Sequence, residues 1–404
     1  MDTRYSHPEV TVLWSLESIY AQWLHIESTV LFHQLDQGIV PEGSPRALSN
    51  DLHGHGALII GEATVARIAE IEQRTQHDVA AFMEWLRDGV KPSGRWLHYG
   101  LTSSDIVDTA QGMRFRDMRG IALDAMQGLM SELARWCEDD TPLLGYTHGQ
   151  VAEVMTMRAR AWQWMTTLAT PAADLSRHTN RVAVCKLSGP VGTYQHNPPE
   201  IEQAVAKDLD LRPHGPGASQ IASRAPLAAW ANSAALLVGA CGKIAMDVRL
   251  MHLNREAIVQ QAEGQVGSSA MAHKRNPIGA EQLGGMARLA RGYAEMLQPL
   301  DVWLERDISH SSVERVAVPD LWHVVMHSIE LTTTLLRELT LDKWNINTGI
   351  PQAGVDPLVS MLTLQAISDG MGWEEARRWA LGRELVAQPK QGHIAMRHYP
   401  GGRK

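Results

Sequence analysis

The sequence predicts an all-α protein built around an elongated bundle of long helices. Three observations carry this expectation: extended segments with the apolar spacing of one helical face, a scarcity of alternating strand patterns bounded by turns, and Gly/Pro clusters that punctuate the long segments.

Along the chain, apolar residues recur from Met118 through Ala122, Ala125, Leu129 and Leu133 to Trp136 at steps of three or four. An Ala/Met/Leu/Arg-rich run from Val151 to Leu168 carries no proline and reads as helix, as does a second from Gln282 towards Leu300, uninterrupted until Pro299. The most apolar stretch, Ala225 to Gly242, is broken by Asn232 and Ser233 and flanked by Lys243, Asp247 and Arg249. A membrane span needs about 20 predominantly apolar residues, so this stretch reads as a buried core helix. Helical spacing returns at Leu321, Val325, Ile329, Thr332, Leu336 and Leu339. Breaks fall at 41–46, 92–95, 188–199, 213–218 and 350–357, and no repeat of fixed period or low-complexity tract is present. Long helices with apolar positions on more than one face need helical partners on several sides, which points to assembly through the bundle.

At 404 residues and 44% hydrophobic, the chain is long enough for a large core and two or three domains. A formal net charge of -8 argues against a general nucleic-acid or acidic-membrane binder. Cys137, Cys185 and Cys241 are odd in number and far apart, fitting neither a disulfide framework nor a zinc site. With no apolar signal core in "MDTRYSHPEV", a cytoplasmic protein is expected.

Five polar stretches interrupt the helical pattern: "RTQHDVAAF" (74–82), "WLHYGLTSSDIVDTA" (96–110), "GYTHGQVAEV" (145–154), "GQVGSSAMAHKRNPIGAEQL" (264–283) and "WLERDISHSSVER" (303–315). Any one alone reads as helix caps and solvated groups. Five together point to a site assembled from distant segments. The chain has no Gly-rich strand-to-helix phosphate loop, HExxH, CxxC or GxSxG, and the HxH of His53 and His55 lacks a third ligand and reads as surface loop. What remains is hydroxyls, imidazoles and cations, which suit proton abstraction beside a carboxylate with no metal and no cofactor.

These residues also carry a resemblance. "GSSAMAHKRNPIGAE" resembles the signature loop of the aspartase/fumarase superfamily, whose members eliminate fumarate from succinyl compounds. "RYSHPEV", "TQHDVAAF", "LHYGLTSSD", "YTHG", "SGPVGTY" and "ERDISHSSVER" resemble the branch acting on N-succinyl nucleotides, in order from residue 4 to about 320. The resemblance implies a homotetramer whose sites each draw on three subunits. It also implies an N-terminal helical domain (1–100), a central long-helix bundle (101–340) with the signature loop at 264–279, and a shortened C-terminal helical domain (341–404).

By the resemblance, Ser268 is the base, assisted by Lys274, and Gly264 and Gly267 let the loop close. His148 is the general acid, assisted and oriented by His77 and Asp78; Lys274, Asn276, Thr102 and Ser103 hold the carboxylates, and Asp78 and Thr147 also bind the substrate. Arg4, Tyr5, Arg306, Ser311 and Arg315 form a phosphate and ribose pocket, and Gln220 contacts the substrate. Asp78 and Ser104 have alternative readings as helix caps, and Arg306 and Arg315 as an ion-pair network with Glu305, Asp307 and Glu314. The chain departs from the family pattern at Ala272, Trp303-Leu304, Tyr146, Ala225-Pro226-Leu227 and Val359-Ser360-Met361, around the leaving group rather than the proton-transfer residues. A different N-succinyl substrate, or a non-catalytic scaffold, are the alternative readings.

Overall fold

The computed structural model describes residues 1–41, 60–90, 93–260, 271, 274–298, 304–352 and 359–383. Ser268, Gly264, Gly267, Ala272, Trp303, His53 and His55 lie outside the described residues. In chain order the elements are α1 (Pro8–Leu13), α2 (Leu16–Asp36), α3 (Glu62–Thr75), α4 (Asp78–Gly89), α5 (Ser103–Trp136), β1 (Pro142–Thr147), β2 (Gln150–Thr156), α6 (Met157–Val182), β3 (Val184–Cys185), α7 (Pro199–Asp208), β4 (Arg212–Pro213), α8 (Ala225–Leu253), β5 (Ala257–Val259), α9 (Ile278–Met296), α10 (Ser309–Glu338), β6 (Leu339–Leu341), α11 (Lys343–Gln352), α12 (Val359–Ser368) and α13 (Trp373–Arg383). Among the described residues strands occur only in two-stranded pairs, and the all-α class predicted by the sequence holds.

The chain divides into two compact units, the first comprising Met1–Glu132, Trp164–Asp247 and Asn276–Arg337. Its core is made by the faces that periodicity marks. On α5, Met118, Ala122 and Leu129 are buried, and on α10 so are Leu321, Val325, Ile329, Thr332 and Leu336. Thr332 is tolerated there because its hydroxyl donates to the Ser328 carbonyl at 2.6 Å. The apolar stretch of α8 is core: Trp230, Ala231, Ala234, Leu237, Val238 and Cys241 are fully buried. No described helix is long and apolar enough to cross a membrane.

Three of these helices meet in an aromatic layer. Phe115 of α5 lies 4.8 Å, centroid to centroid, from Trp230 of α8, and Trp322 of α10 lies 5.0 Å from Trp230 and 5.6 Å from Phe115. Nearer the N-terminal ends, Arg224 just before α8 binds Asp108 of α5 and Glu314 of α10. The aromatic layer follows this ionic layer by six to eight residues on each helix, or about 10 Å at 1.5 Å per residue. The three helices therefore run the same way, with their N-terminal ends together.

Strand β3 pairs in parallel with β4 and lies against α5, an approach that requires Gly112. A Cβ there would stand 2.3 Å from the Val184 carbonyl oxygen and 2.9 Å from its nitrogen, and neither backbone atom can swing aside.

The second unit comprises Leu133–Gln163, Val248–Arg275 and Glu338–Lys404. Here the structure corrects one expectation: Val151–Thr156, read as the start of a helix, form β2 and pair antiparallel with β1, Thr147 opposite Gln150. The Glu256 carboxylate accepts the Leu144 N–H at 3.2 Å and anchors this hairpin beside β5, which pairs antiparallel with β6. Cys137 of this unit, and Cys185 and Cys241 of the first, are buried free thiols.

Gly112→Ala is expected to lower unfolding stability by about 1–3 kcal/mol through overpacking, outweighing the better helix propensity of alanine. Gly120→Ala, on the same helix with nothing within 4 Å of its added Cβ, is expected to be neutral or stabilising by about 0.5–1 kcal/mol. Denaturant unfolding of the two variants checks the contrast.

Candidate active site

The polar stretches of the first unit are helix beginnings. His77 is the N-cap of α4, its Nδ1 accepting the Ala80 N–H at 3.3 Å, and Asp78 opens the helix, its Oδ1 accepting the Val79 N–H at 2.7 Å. Of the two cap readings, Asp78 thus bears a capping contact and Ser104 bears none among the described residues: Ser104 is buried in the first turn of α5. The N–H of Thr102 donates to Asp105 at 2.8 Å and the Asp105 N–H returns to the Thr102 carbonyl at 2.9 Å, a reciprocal cap of α5.

Cross-links join these beginnings. Ser103 Oγ lies 3.4 Å from His77 Nε2, joining α5 to α4. Arg315 of α10 donates to Asp78 and, through Nε, to Ser311 Oγ at 3.2 Å. Five expected site residues, His77, Asp78, Ser103, Ser311 and Arg315, thus form one connected cluster. Arg306 Nη1 donates to Gln220 Oε1 at 3.0 Å, while its Nε is buried without an acceptor among the described residues. Of the partners in the ion-pair alternative, Glu314 is paired with Arg224, and Arg315 itself is paired with Asp78.

Two buried ion pairs fix the supporting frame. Lys186, fully buried just after β3, donates to Asp105 at 2.7 Å, to the Gly189 carbonyl at 3.3 Å and to the Gln220 carbonyl. Burial pushes Asp105 above the ordinary carboxylate value, against the opposing pull of Lys186 and the N–H groups of Thr102 and Gly189. One turn on, burial would likewise raise Asp108, but the Arg224 guanidinium overrides it and holds the carboxyl low. Asp78, Asp105, Asp108 and Glu314 are matched by Arg315, Lys186 and Arg224, with Arg306 as a fourth cation. Four carboxylates thus meet four cations. The gathered N-terminal ends of α4, α5, α8 and α10 add positive partial charge, so this end of the unit favours an anion.

His98 is a further positioning residue. It sits at a φ of 66°, and Glu27 of α2 accepts both its N–H at 2.8 Å and its Nδ1 proton at 2.5 Å. Burial opposes protonation, but the Glu27 carboxylate outweighs it and raises the His98 pKa above 6.5. Sequence reasoning missed His98, Asp105, Lys186 and Glu27, although Thr102-x-x-Asp105 is a capping spacing and Lys186 stands alone in the apolar "VAVCKLSG".

The remaining expected residues have surroundings of their own. Tyr5 packs edge-on against His327 at 5.6 Å. His327 is twelve residues along α10 from Arg315, about 18 Å by helix rise. Arg4 beside it is exposed, its N–H donating to Asp2 at 2.8 Å. Asn276 is half-buried ahead of α9. In the second unit, His148 and Gly149, at φ 53° and 73°, form the two-residue tip between β1 and β2, a type I′ turn that leaves Thr147 and His148 exposed. Lys274 is also exposed, its N–H donating to the Met271 carbonyl at 3.0 Å.

Comparison with known proteins places this geometry. The family profile described as Lyase matches residues 18–292. The chain is 37% identical over 346 residues to the adenylosuccinate lyase of Deinococcus radiodurans, covering 84% of this chain and 79% of that one. It is 32% identical to the adenylosuccinate lyase of Thermotoga maritima, covering 93% of this chain and 86% of that one. The fold matches that of a fumarate lyase from Mesorhizobium sp. BNC1 with a TM-score of 0.82 at 22% identity, covering 94% of this chain and 86% of that one. The chain belongs to this lyase family, within the aspartase/fumarase superfamily.

Two measurements test the frame. Asp105→Asn strands the buried Lys186 charge and is expected to cost about 3–5 kcal/mol of stability in denaturant unfolding. Because the His98 pKa is raised on folding, its contribution is full below 6.5 and is lost as pH rises through the raised value. The thermal-stability gap between the native chain and Glu27→Gln should therefore be widest at acid pH and close as pH increases.

Proposed function

We propose that this lyase cleaves adenylosuccinate to AMP and fumarate in purine biosynthesis, as a cytoplasmic homotetramer. The observation that carries the reading is the His77–Ser103 and Asp78–Arg315–Ser311 cluster at the gathered helix N-termini, in a chain whose relatives are named adenylosuccinate lyases. Ser268 removes the proton from the carbon β to the leaving nitrogen, with Lys274 favouring its alkoxide. The negative charge flows onto the adjacent carboxylate, held by Lys274, Asn276, Thr102 and Ser103. The C–N bond breaks, the double bond of fumarate forms, and His148 protonates the departing nitrogen while His77 and Asp78 orient the acid. Arg306, Ser311 and Arg315, with Arg4, Tyr5 and Gln220, take the nucleotide end; the unpaired Arg306 Nε offers a donor for it. The reaction uses no cofactor.

Assembly is supported from two directions. Within one protomer Tyr5 packs far along α10 from Arg315, so a joint pocket calls for a second copy. Leu236, Met246, Leu250 and Leu253 of α8 and Leu289 and Met296 of α9 are exposed apolar side chains on long helices, which suit burial in a larger central bundle. The three buried free cysteines fit a reducing compartment.

Ser268→Ala and His148→Gln are each expected to lower turnover by about 10²–10⁴-fold, read as fumarate absorbance. Mixing the two inactive variants under subunit exchange should restore part of the activity; hybrids that form and stay inactive would refute the shared site. Arg315→Ala should raise KM far more for adenylosuccinate than for its dephosphorylated nucleoside. Faster fumarate release from a small unphosphorylated aspartate derivative than from adenylosuccinate would overturn the nucleotide assignment and leave the elimination standing.

A further inference from the structure

The first unit holds an open cavity of about 350 Å³ between the end of α6, strand β4 and the start of α8. None of His77, Ser103, Gln220, Arg306, Ser311 or Arg315 lines it. Its volume lies at the lower end of the roughly 300–1,000 Å³ of small-molecule sites.

The charge of the wall is one-sided. Arg181, Arg212 and Arg224 line it with one carboxylate, Asp108; Arg224 is already bound to Asp108 through two contacts of 2.9 Å and to Glu314, which leaves Arg181 and Arg212 as the available cations. Arg212 is held by a 2.8 Å bond from Nη2 to the Asn180 carbonyl, at the C-terminal turn of α6 that also bears Arg181. Both arginines are exposed, and neither forms an ion pair among the described residues. The N-terminus of the 29-residue α8 opens onto the same space through Pro226 and Leu227. Convergent guanidinium groups suit the several oxygens of a phosphate, which they bind in bidentate fashion, better than they suit a single carboxylate. The remaining wall is partly apolar, with Val182, Val184 and Leu227, and accepts an uncharged body.

We propose that this cavity is a second anion site, separate from the catalytic cluster, which takes a small phosphate-bearing molecule of mononucleotide size through Arg181 and Arg212. A basic surface that attracts anions by charge alone is screened by salt and does not distinguish phosphate from a mononucleotide, whereas a built site places the phosphate and the organic body at fixed positions.

The test is calorimetric titration of the intact protein with inorganic phosphate and with GMP, a mononucleotide outside the proposed products. Both should bind, GMP more tightly, and Arg181→Ala and Arg212→Ala should each weaken binding about tenfold or more, as expected for a lost charge-assisted contact. Arg212→Lys should retain part of the affinity, and circular dichroism should show these surface variants folded. Because the phosphate pocket of the catalytic cluster also takes these ligands, the titrations are repeated in an Arg315→Ala background, where the binding that depends on Arg181 and Arg212 should persist. Affinity in that background that survives both Arg181→Ala and Arg212→Ala, or binding that Arg315→Ala alone abolishes, would place the ligand elsewhere and overturn the proposal. So would the absence of binding at about 10 mM ligand, above the weak, millimolar end of affinities, and binding of phosphate without GMP would overturn the organic half of the site. These outcomes are independent of whether adenylosuccinate is the substrate.

Discussion

The architecture at the catalytic end depends on a buried ion pair, Lys186 with Asp105. Desolvating two charges is costly, and a frame tolerates such a pair only when its remaining hydrogen-bonding capacity is met. Here it is met by backbone from three segments. Asp105 also accepts N–H groups from Thr102 and Gly189, and Lys186 also donates to the carbonyls of Gly189 and Gln220. The first turn of α5, the turn after β3 and the strand of chain bearing Gln220 are thereby held to one point. Gly112 belongs to the same device, because without a Cβ it lets β3 approach α5 closely enough for Lys186 to reach. Loss of either partner leaves a charge in an environment with no water to receive it, so the frame assembles as a unit.

The second ionic layer, Arg224 with Asp108 and Glu314, lies one turn further into α5 and fixes the relative heights of α5, α8 and α10. The aromatic layer beyond it fills the space between the same helices. Dispersion and area burial do the holding in that layer, while the ionic layer sets direction and register. The result is that backbone dipoles, rather than an excess of side-chain charge, supply much of the positive field at this end.

The long helices were legible because 3.6-residue periodicity survives in any segment packed on one side, and Met118, Leu129, Leu321 and Ile329 are core where spacing placed them. β2 was not legible. Its turn is His148-Gly149 rather than Asn-Gly, and Val151–Thr156 run without a break into a true helix. In the candidate site, residue identity was readable from the motifs but partnership was not. Asp78 and Arg315 are 237 positions apart and Asp105 and Lys186 are 81 apart, and nothing local in either segment encodes the other. Contacts of that kind exist only once the fold has closed.

The buried cysteines have a practical consequence. Burial raises the Cys185 thiol well above its ordinary value and Cys241 to about 11, so in the folded chain both are protonated, shielded and chemically quiet. Cys185 adjoins Lys186 and Cys241 lies in the middle of α8, whereas Cys137 belongs to the second unit. Alkylation of each thiol can proceed only as fast as its surroundings open, so the native chain carries three clocks for local unfolding: one beside the buried ion pair, one in the helical core and one in the smaller unit.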